Sequence, residues 1–229
     1  MKIKTNLHFH TSDDPEDVID YDFYEGVDRA SKLGFGAISL TCHNKFASLP
    51  AYESYASKRG ILLISGIERE IGGKHHVVIL NCDRYAESIN TFEDLARYRK
   101  DHPEIFVIAP HPYFKYYSLG KKLDRNTSLF DAVEHSWFYS DGVNFNKKAG
   151  MTATRENLPF FATSDTHFLE LLDKCYAVVD AEEKTPASIF RAIRGRKFEN
   201  VTAPAKFWRE MIYHFVLGEI KKILPRKRN

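Results

Sequence analysis

The sequence predicts an α/β fold in which parallel strands close into a barrel. Short apolar runs alternate along the chain with longer stretches that favour helices, the order typical of a parallel sheet. Histidines and carboxylates follow nearly every predicted strand. The carboxyl ends of barrel strands converge on one face, whereas an open sheet gathers only the strands beside its switch point. The spread of polar strand ends therefore favours closure.

Eight apolar runs are the predicted strands: residues 3–9, 35–40, 61–67, 76–80, 105–109, 132–133, 160–163 and 176–179. Helices are predicted between them, at residues 24–32, 49–57, 92–98 and 186–194. The last helix begins with Thr185 as its N-cap and Pro186 at the first helical position. We expect the barrel to occupy residues 1–200, and residues 201–229 to add an amphipathic helix and a basic tail to the same domain.

Composition narrows the class of protein. Hydrophobic residues make up 43% of the 229 residues and charged residues 28%, a balance typical of a globular chain. The formal net charge of +2 does not by itself indicate a polyanionic partner. No apolar run approaches the roughly 20 residues of a membrane helix. The first residues also lack the apolar core of a signal peptide.

Three cysteines, Cys42, Cys82 and Cys175, are odd in number and far apart. They predict neither a disulfide framework nor a zinc knuckle. A reducing cytoplasm is therefore the expected compartment. The oligomeric state is not predicted by any feature of the sequence.

The functional signal begins with His8-Phe9-His10 in the first strand. Residues two apart on a strand project to the same side, so both imidazoles can bind one cation. Taken alone the pair is a weak signal, because strand histidines also bond to backbone. Further candidate ligands follow other strands: His43, Glu68, His111, Asp165 and His167. Burying so many titratable groups is costly without a compensating charge, which a bound cation supplies.

The ligand chemistry indicates a type of metal and a reaction. Nitrogen and oxygen donors without thiolate suit Zn, Mn or Fe better than a structural zinc site. A carboxylate such as Glu68 can bridge two cations through its two oxygens. Two cations about 3.5–4 Å apart bind phosphate oxygens, lower the pKa of a water and stabilise the leaving oxygen. We therefore predict hydrolysis of a phosphate ester by a metal-activated water, without a protein nucleophile.

The fourth strand differs from the others because its histidines stand at its beginning. His75 and His76 follow Gly72-Gly73, and a tight turn there would make strands three and four antiparallel. The start of strand four would then lie beside Glu68. A two-residue loop favours His75 on the face of Glu68, and a three-residue bulged loop favours His76. The residues alone leave this choice open.

Seven ordered blocks carry a family resemblance: residues 7–11 (LHFHT), 41–44 (TCHN), 66–68 (GIE), 76–80 (HVVIL), 111–112 (HP), Glu134 followed by Asn146, and 164–167 (SDTH). Through these blocks the chain resembles the PHP (polymerase and histidinol phosphatase) family of metal-dependent phosphoesterases over residues 3–180. The resemblance implies a distorted seven-stranded, TIM-like β/α barrel. It also implies a cofactor of two or three divalent metal ions.

The same resemblance implies a ligand set for each metal. The first metal would take His8, His10, Glu68 and Asp165. The second would take Glu68, His76 and His111, which tips the hairpin question towards His76. The third would take His43, His167 and a carboxylate from Asp13-Asp14, of which Asp14 is our prediction. The expected catalytic residues are Glu68, Asp165 and His167.

The chain departs from the family's pattern at two places. Cys42 stands where the family carries Asp, a change that weakens the orientation of His43 if the carboxylate held that ring. A thiolate ligand from Cys42 is the alternative. The loop Thr11-Ser12-Asp13-Asp14-Pro15 is shorter than the family's common form, so both departures bear on the third metal.

The predicted substrate is a small phosphorylated molecule. Arg69 and Lys45 follow strand-end motifs and could clasp a phosphate, and Asn146 could bond the substrate or hold a loop. A nuclease acting at a 3′ end, or a phosphodiesterase acting on nucleotides, is the alternative, with nucleic acid as a possible partner. A degenerate metal-binding regulatory module without catalysis is the rival from another class, supported by Cys42.

Two histidines and the C-terminal segment have plainer interpretations. His102 and His214 are expected to be solvated or structural. Residues 206–224 carry apolar side chains at helical spacing, which predicts a helix packed on the barrel or on a second subunit. The basic tail at 225–229 is expected to be solvated, with contact to nucleic acid or an anionic membrane surface as the alternative.

Overall fold

A computed structural model describes residues 1–114, 117–206, 211–214, 216–217 and 220. Within these ranges no helix has the length and apolar character needed to cross a membrane. The few described residues after 206 have helical backbone. Most of the helix predicted for residues 206–224 and the whole basic tail lie outside the described residues.

In these ranges the chain forms nine strands and six α-helices. The strands are β1 (Lys2–Phe9), β2 (Ala37–Leu40), β3 (Leu62–Ile71), β4 (His75–Leu80), β5 (Phe106–Ala109), β6 (Ala132–Ser136), β7 (Phe160–Thr163), β8 (Cys175–Asp180) and β9 (Phe198–Thr202). The helices are α1 (Phe23–Lys32), α2 (Pro50–Lys58), α3 (Phe92–Asp101), α4 (Lys121–Arg125), α5 (Asn146–Arg155) and α6 (Pro186–Arg194).

One sheet contains all nine strands in the order β7-β6-β5-β4-β3-β2-β1-β8-β9. The segment after β7 returns to the upper end of β1, where His10 N donates to Thr166 O at 3.2 Å and Thr166 N donates to His8 O at 3.3 Å. Beside β7, the Asn200 side chain of β9 accepts from Ala162 N at 2.9 Å. The sheet is thus nearly closed, and the predicted barrel-like α/β fold is confirmed.

The strand count differs from the seven expected. The lower half of β1 pairs antiparallel with β8, and β8 pairs antiparallel with β9, so two strands extend the wall that β1 to β7 form. The first of the two was among the predicted strands. The second was missed because its sequence, Phe-Glu-Asn-Val-Thr, is largely polar and lacks a buried face.

The β3–β4 hairpin decides which histidine faces Glu68. Its loop contains three residues with positive φ, Gly72 at 57°, Gly73 at 75° and Lys74 at 82°. In the antiparallel register Glu70 opposes His76. Because opposite residues share a face and alternate residues return to it, His76 lies on the face of Glu68. The three-residue alternative is therefore the one that the chain adopts.

The first strand contains a β-bulge where it approaches the polar end of the barrel. Between Asn6 and Phe9, three steps along β1 oppose two steps along β2. Strict alternation would place Leu7 and Phe9 on one face, yet they belong to different hydrophobic clusters. The extra residue shifts the phase of the strand, so that His8 and His10 face the barrel centre beyond the apolar interior.

Below the polar end, one hydrophobic cluster fills the barrel. It takes at least one residue from every strand from β1 to β8, together with residues of α6. The ring of Phe190 in α6 stacks on that of Phe106 in β5 at 4.7 Å. Helix α6 begins as predicted, with the Thr185 side chain accepting from Ser188 N. This end of the barrel is packed and apolar, so polar chemistry is confined to the other end.

Candidate metal centre

Glu68 lies at the centre of the polar end of the barrel and is only 1% exposed. Its Oε2 faces three ring nitrogens: His8 Nε2 at 3.2 Å, His10 Nε2 at 3.4 Å and His43 Nε2 at 3.0 Å. Its Oε1 faces two others: His76 Nδ1 at 2.9 Å and His111 Nε2 at 3.2 Å. The two oxygens of one carboxylate therefore address two separate sets of imidazoles.

Asp165 is a second carboxylate in the same cluster. Its Oδ1 lies 3.3 Å from both His8 Nε2 and His10 Nε2, and 3.3 Å from His167 Nδ1. The backbone of Asp165 has a φ of 43°, a left-handed conformation that is uncommon for a residue other than glycine. His111 (φ 27°) also lies in this region at a strand end. Such backbone strain is typical of residues held in place for a function.

Three groups of side chains could each hold a cation, because within each group the ligand atoms all lie within 4.8 Å of one another. They are His8, His10, Glu68 and Asp165; His43, Glu68 and His76; and His10, His43 and His167. The structure thus brings together eight of the nine predicted ligands around Glu68, with His111 joining through its contact with Oε1. The ninth, Asp14, has a different position.

The donor atoms fit a cation better than they fit one another. Several buried atoms have no aligned hydrogen-bond partner among the described residues: His8 Nε2, His10 Nε2, Glu68 Oε2, His76 Nδ1 and Nε2, His111 Nδ1, and Asp165 Oδ1. Most buried polar atoms are paired, and leaving one unpaired costs about 1–3 kcal/mol. Lone pairs that converge without aligned hydrogen bonds are the arrangement that a divalent metal ion would satisfy.

Two further carboxylates fix the direction of the rings from behind. Glu134 Oε1 accepts from His8 Nδ1 at 2.9 Å, and its Oε2 accepts from the backbone of His111 at 2.5 Å. Asp14 Oδ2 accepts from Nδ1 of His10 and Nδ1 of His43, each at 2.9 Å. Holding the proton on Nδ1 leaves Nε2 free to bind a metal. Asp14 therefore orients two histidines and does not join the three groups.

A second loop carboxylate, Asp17, which the sequence did not indicate, lies beside two histidines of the third group, His167 and His43. His167 Nδ1 bonds to the carbonyl of Asp165 at 3.0 Å, and its Nε2 lies 2.9 Å from Asp17 Oδ2. Asp17 Oδ2 is also 3.7 Å from His43 Nδ1. Asp13 instead accepts from the hydroxyl of Tyr52 at 3.0 Å. Only the path of this irregular loop could distinguish three acidic residues spaced so closely.

The carboxylates and histidines shift each other's proton affinity. Burial opposes charge on His8, but the carboxylates of Asp165, Glu68 and Glu134 raise its pKa to about 10. Burial likewise opposes charge on His43, and Glu68 raises its pKa to about 10. Burial would raise the pKa of Glu68, yet the surrounding imidazoles hold it well below its usual range. Without a bound cation the carboxylates are therefore ionised and the imidazoles hold extra protons, which a metal ion would displace on binding.

Cys42 has the position of a core residue. Its side chain is buried within the hydrophobic cluster that α1 and α2 form against β1 and β2. Burial, with a smaller contribution from Asp14, raises the pKa of the thiol to about 12. Cys42 belongs to none of the three groups. Cys82 and Cys175 are likewise free and buried.

The structure does not bring two of the predicted substrate-binding residues to the centre. Arg69 follows Glu68 on β3 and so points to the opposite face, where it donates to Ile89 O at 2.9 Å and to Asn44 and Asn90. The Nζ of Lys45 donates to the carbonyl of Asp13 at 2.9 Å. Asn146 begins α5 and lines the pocket beside the centre. Its amide is bonded to the backbone of Ser136, at 3.0 Å and 2.8 Å.

A pocket of about 230 Å³ opens above the centre. Its floor includes His43, His76, His111, Asp165 and His167. Seven aromatic residues line its walls: Tyr113, Phe114, Tyr117, Trp137, Phe138, Phe145 and Phe168. His214, expected to be solvated or structural, is 6% exposed and also lines this pocket. Its ring lies 4.5 Å from that of Phe168, which brings the C-terminal segment to the site. His102 is partly exposed beside Glu104, outside the pocket.

Comparison with known families supports the resemblance seen in the motifs. A family model described as PHP-associated matches residues 143–198. No curated protein matches the chain. The matched residues include α5, β7, β8 and α6. Asp165 and His167, which lie between β7 and β8, are also within the match.

Several solved structures share the fold. A two-domain protein of Bacteroides vulgatus containing a predicted PHP-like metal-dependent phosphoesterase has a TM-score of 0.65 at 19% identity, over 88% of this chain and 65% of that one. PsfC of Pseudomonas syringae has a TM-score of 0.68 at 14% identity, over 97% of this chain and 98% of that one. The lesion-specific endonuclease EndoQ of Pyrococcus furiosus has a TM-score of 0.64 at 15% identity, over 85% of this chain and 56% of that one.

This chain therefore spans less than two thirds of two of these three structures. At such low sequence identity the structural matches show a shared fold and no more. The predicted resemblance to the PHP domain family is confirmed by the family model and the shared fold together.

Proposed function

On the premise that the chain is a PHP-domain protein, we propose that it is a metal-dependent phosphoesterase. It would hydrolyse a phosphate ester by attack of water, with two or three divalent cations (Zn, Mn or Fe) as cofactors. The observation that carries the proposal is Glu68, whose Oε2 and Oε1 face two different sets of imidazoles at 2.9–3.4 Å. A carboxylate in this position is suited to bridge two cations.

The chain's own residues supply a complete donor set for this cofactor. His8, His10, Glu68 and Asp165 would hold one cation, and Glu68 would share a second with His76 and with His43 or His111. His43, His167 and Asp17 are suited to a third. When bound, such ions bind phosphate oxygens, lower the pKa of a nearby water and offset charge on the leaving oxygen.

Two of the predicted catalytic side chains reach the pocket. Asp165 is 20% exposed and His167 is 24% exposed, whereas Glu68 lies beneath them. Burial opposes ionisation of Asp165, yet His8 and His167 hold its pKa well below the usual range. An ionised Asp165 Oδ2 would accept a hydrogen bond from the attacking water and orient it. Glu134 and Asp14 would keep the rings of His8 and His10 in place during the reaction.

A matched pair of variants tests this proposal. Glu68→Gln and Glu70→Gln make the same change two residues apart on β3, one inside the cluster and one outside it. After loading with Mn or Zn, we expect the wild type and the Glu70 variant to hold two or three ions and release phosphate from small monoesters. The Glu68 variant should lose more than about a hundredfold in turnover, since even changes behind metal ligands cost 10–100-fold.

Metal content and phosphate release are the two readouts. A wild-type protein that holds no ions after loading, or that turns over no ester, contradicts the proposal. Equal turnover by both variants contradicts the role of Glu68.

Nucleic-acid cleavage is the second candidate because EndoQ shares the fold. Degradation of single-stranded DNA from a 3′ end, at rates above those for small monoesters, would favour it. A regulatory module without catalysis would bind the cations and leave both substrate classes intact.

A further inference from the structure

We propose that the ester's leaving group carries one flat apolar ring, about the size of a phenyl group. The inference rests on the proposed phosphoesterase function and names the class of its substrate. It is carried by the shape, lining and charge of the pocket above the metal centre.

The walls of the pocket are aromatic on several sides. Phe114 packs edge-on against Phe138 at 4.9 Å and against Phe145 at 5.7 Å, and all three rings are half-buried. On another side, the Tyr117 ring stacks on His76 at 4.8 Å, so the aromatic lining begins at the cluster itself. Offset and edge-to-face contacts with such rings favour a flat aromatic guest over an aliphatic polyol.

The volume of the pocket is sufficient for an aromatic ring. An apolar cavity of about 150 Å³ accommodates benzene. The pocket here measures about 230 Å³, including the space over the metal ligands. It therefore has room for one ring and one phosphate.

The described lining carries carboxylates, which favour an apolar leaving group over an anionic one. No lysine or arginine is present among the described lining residues, and Glu16 and Asp17 stand at one side. Lys148 lies over the Tyr113 ring, 4.3 Å from its centroid, but is not part of the lining. Among these described residues, a second phosphate or a nucleic-acid backbone would meet carboxylates and no lysine or arginine.

The reaction would then be hydrolysis of a monoester with an arylalkyl alcohol. The oxygen of water forms a bond to phosphorus, and the bond between phosphorus and the alcohol oxygen breaks. A proton from water passes to that oxygen, so the products are inorganic phosphate and the ring-bearing alcohol.

Two substrates that differ in the ring test the inference. 2-Phenylethyl phosphate and propyl phosphate are both esters of primary alcohols, so their intrinsic reactivities are similar. Burial of a phenyl group contributes about 1.5–3 kcal/mol, which corresponds to a ratio in kcat/KM of at least tenfold. We expect the metal-loaded full chain to prefer the phenylethyl ester by at least that factor. Equal kcat/KM values would overturn the inference and leave the proposed function standing.

Variants locate the ring. Phe145→Ala should reduce the preference to less than threefold, through a fall in kcat/KM for the phenylethyl ester. Tyr85→Ala, a change at an exposed ring outside this pocket, should leave the preference intact. If Phe145→Ala fails to fold, Phe114→Leu replaces it with the same expectation. An unchanged preference in the folded variant would overturn the placement of the ring.

Binding separates this inference from the function on which it rests. If neither ester reacts with the metal-loaded protein, the result contradicts the proposed function. Calorimetry with phenylphosphonate and methylphosphonate on the metal-loaded protein would still decide the inference. Tighter binding of phenylphosphonate by at least tenfold supports it, and equal binding overturns it.

Discussion

Two buried carboxylates of this chain, Asp131 and Glu68, have opposite surroundings. Asp131 is 7% exposed and accepts from Arg99 at 2.6 and 2.8 Å, from Val107 N at 2.8 Å and from Arg194 Nε at 2.9 Å. Glu68 is 1% exposed, and its Oε2 has close imidazole neighbours but no aligned donor in the part of the chain that the structure describes. Both oxygens of Asp131 are satisfied by the protein, whereas Oε2 of Glu68 is left for a bound cation.

This difference separates a structural charge from a functional one. Removing the charge of a buried carboxylate that is paired on all sides is destabilising, because its partners are left without a counter-charge. A buried carboxylate among convergent lone pairs lowers stability and contributes to binding. Substitutions in the two regions should therefore affect different properties, metal binding around Glu68 and stability around Asp131.

Of the substitutions that compare these two regions, Asp14→Asn should have the largest effect. Asp14 lies behind the metal ligands, and the property affected is metal affinity. Asp14→Asn keeps the size of the side chain but replaces the carboxylate that accepts from His10 Nδ1 and His43 Nδ1 with a neutral amide. The amide oxygen is a weaker acceptor than a carboxylate oxygen. We expect metal affinity to fall 10–100-fold, with the protein still folded. Metal titration by calorimetry measures the loss, with Asp13→Asn as the neighbouring control. An Asp14 variant with wild-type affinity would show that the two rings need no such support.

At Asp131 the expected effect is on stability. Asp131→Asn removes the charge that two guanidinium groups share, and we expect a loss of about 1–3 kcal/mol in the free energy of unfolding. Both arginines retain some exposure and can turn to water, which keeps the loss below that of a fully buried pair. Urea unfolding of the metal-free protein measures it. Metal content should be unchanged, and a variant that loses its metal would remove the contrast between the two regions.

The stability that Asp131 contributes should depend on pH in the acid range. Burial would raise the pKa of Asp131, but bonds from Arg99, Val107 and Arg194 lower it below its usual value. The contribution is therefore present above the unfolded pKa of about 3.9 and is lost as pH falls through the folded value. The difference in unfolding free energy between wild type and Asp131→Asn should be constant from pH 7 to 5 and shrink below pH 4.

An exposed carboxylate is the control for this pH dependence. Asp141→Asn should show no comparable difference at any pH, since Asp141 lies at the surface. A gap between wild type and Asp131→Asn that persists unchanged at pH 3 would contradict the assignment to ionisation of Asp131.

The smallest effect is expected at Cys42. Its thiol is buried against apolar residues and stays protonated, so Cys42→Ala should leave metal content and affinity unchanged within twofold. Stability should fall by about 1 kcal/mol, from lost packing. Loss of one bound ion in this variant would show that Cys42 acts as a thiolate ligand.

Much of the centre could be predicted because strands obey a local rule. Side chains two apart share a face, and barrel strand ends share one rim, so His8, His10, Glu68 and Asp165 could be placed together from their spacing. The same alternation explains why Arg69, one residue after Glu68, points away. Helix α5 was not among the predicted helices. It contains Gly150 in its middle and has small residues on its buried face, so its sequence lacks the apolar periodicity typical of a helix.

The sequence by itself determined the barrel, the identity of most candidate ligands and the chemistry they share, since these follow from residue type and short-range period. Tertiary structure decided the rest. The three-residue hairpin loop selected His76, the bulge in β1 turned His8 and His10 inward, and the loop path gave Asp17 and Asp14 their separate positions. The bulge and the loop path depend on how distant segments meet when the sheet closes, which no local pattern of residues encodes. The hairpin depends on the length of its loop, and Gly72-Gly73 is compatible with either a two-residue or a three-residue loop.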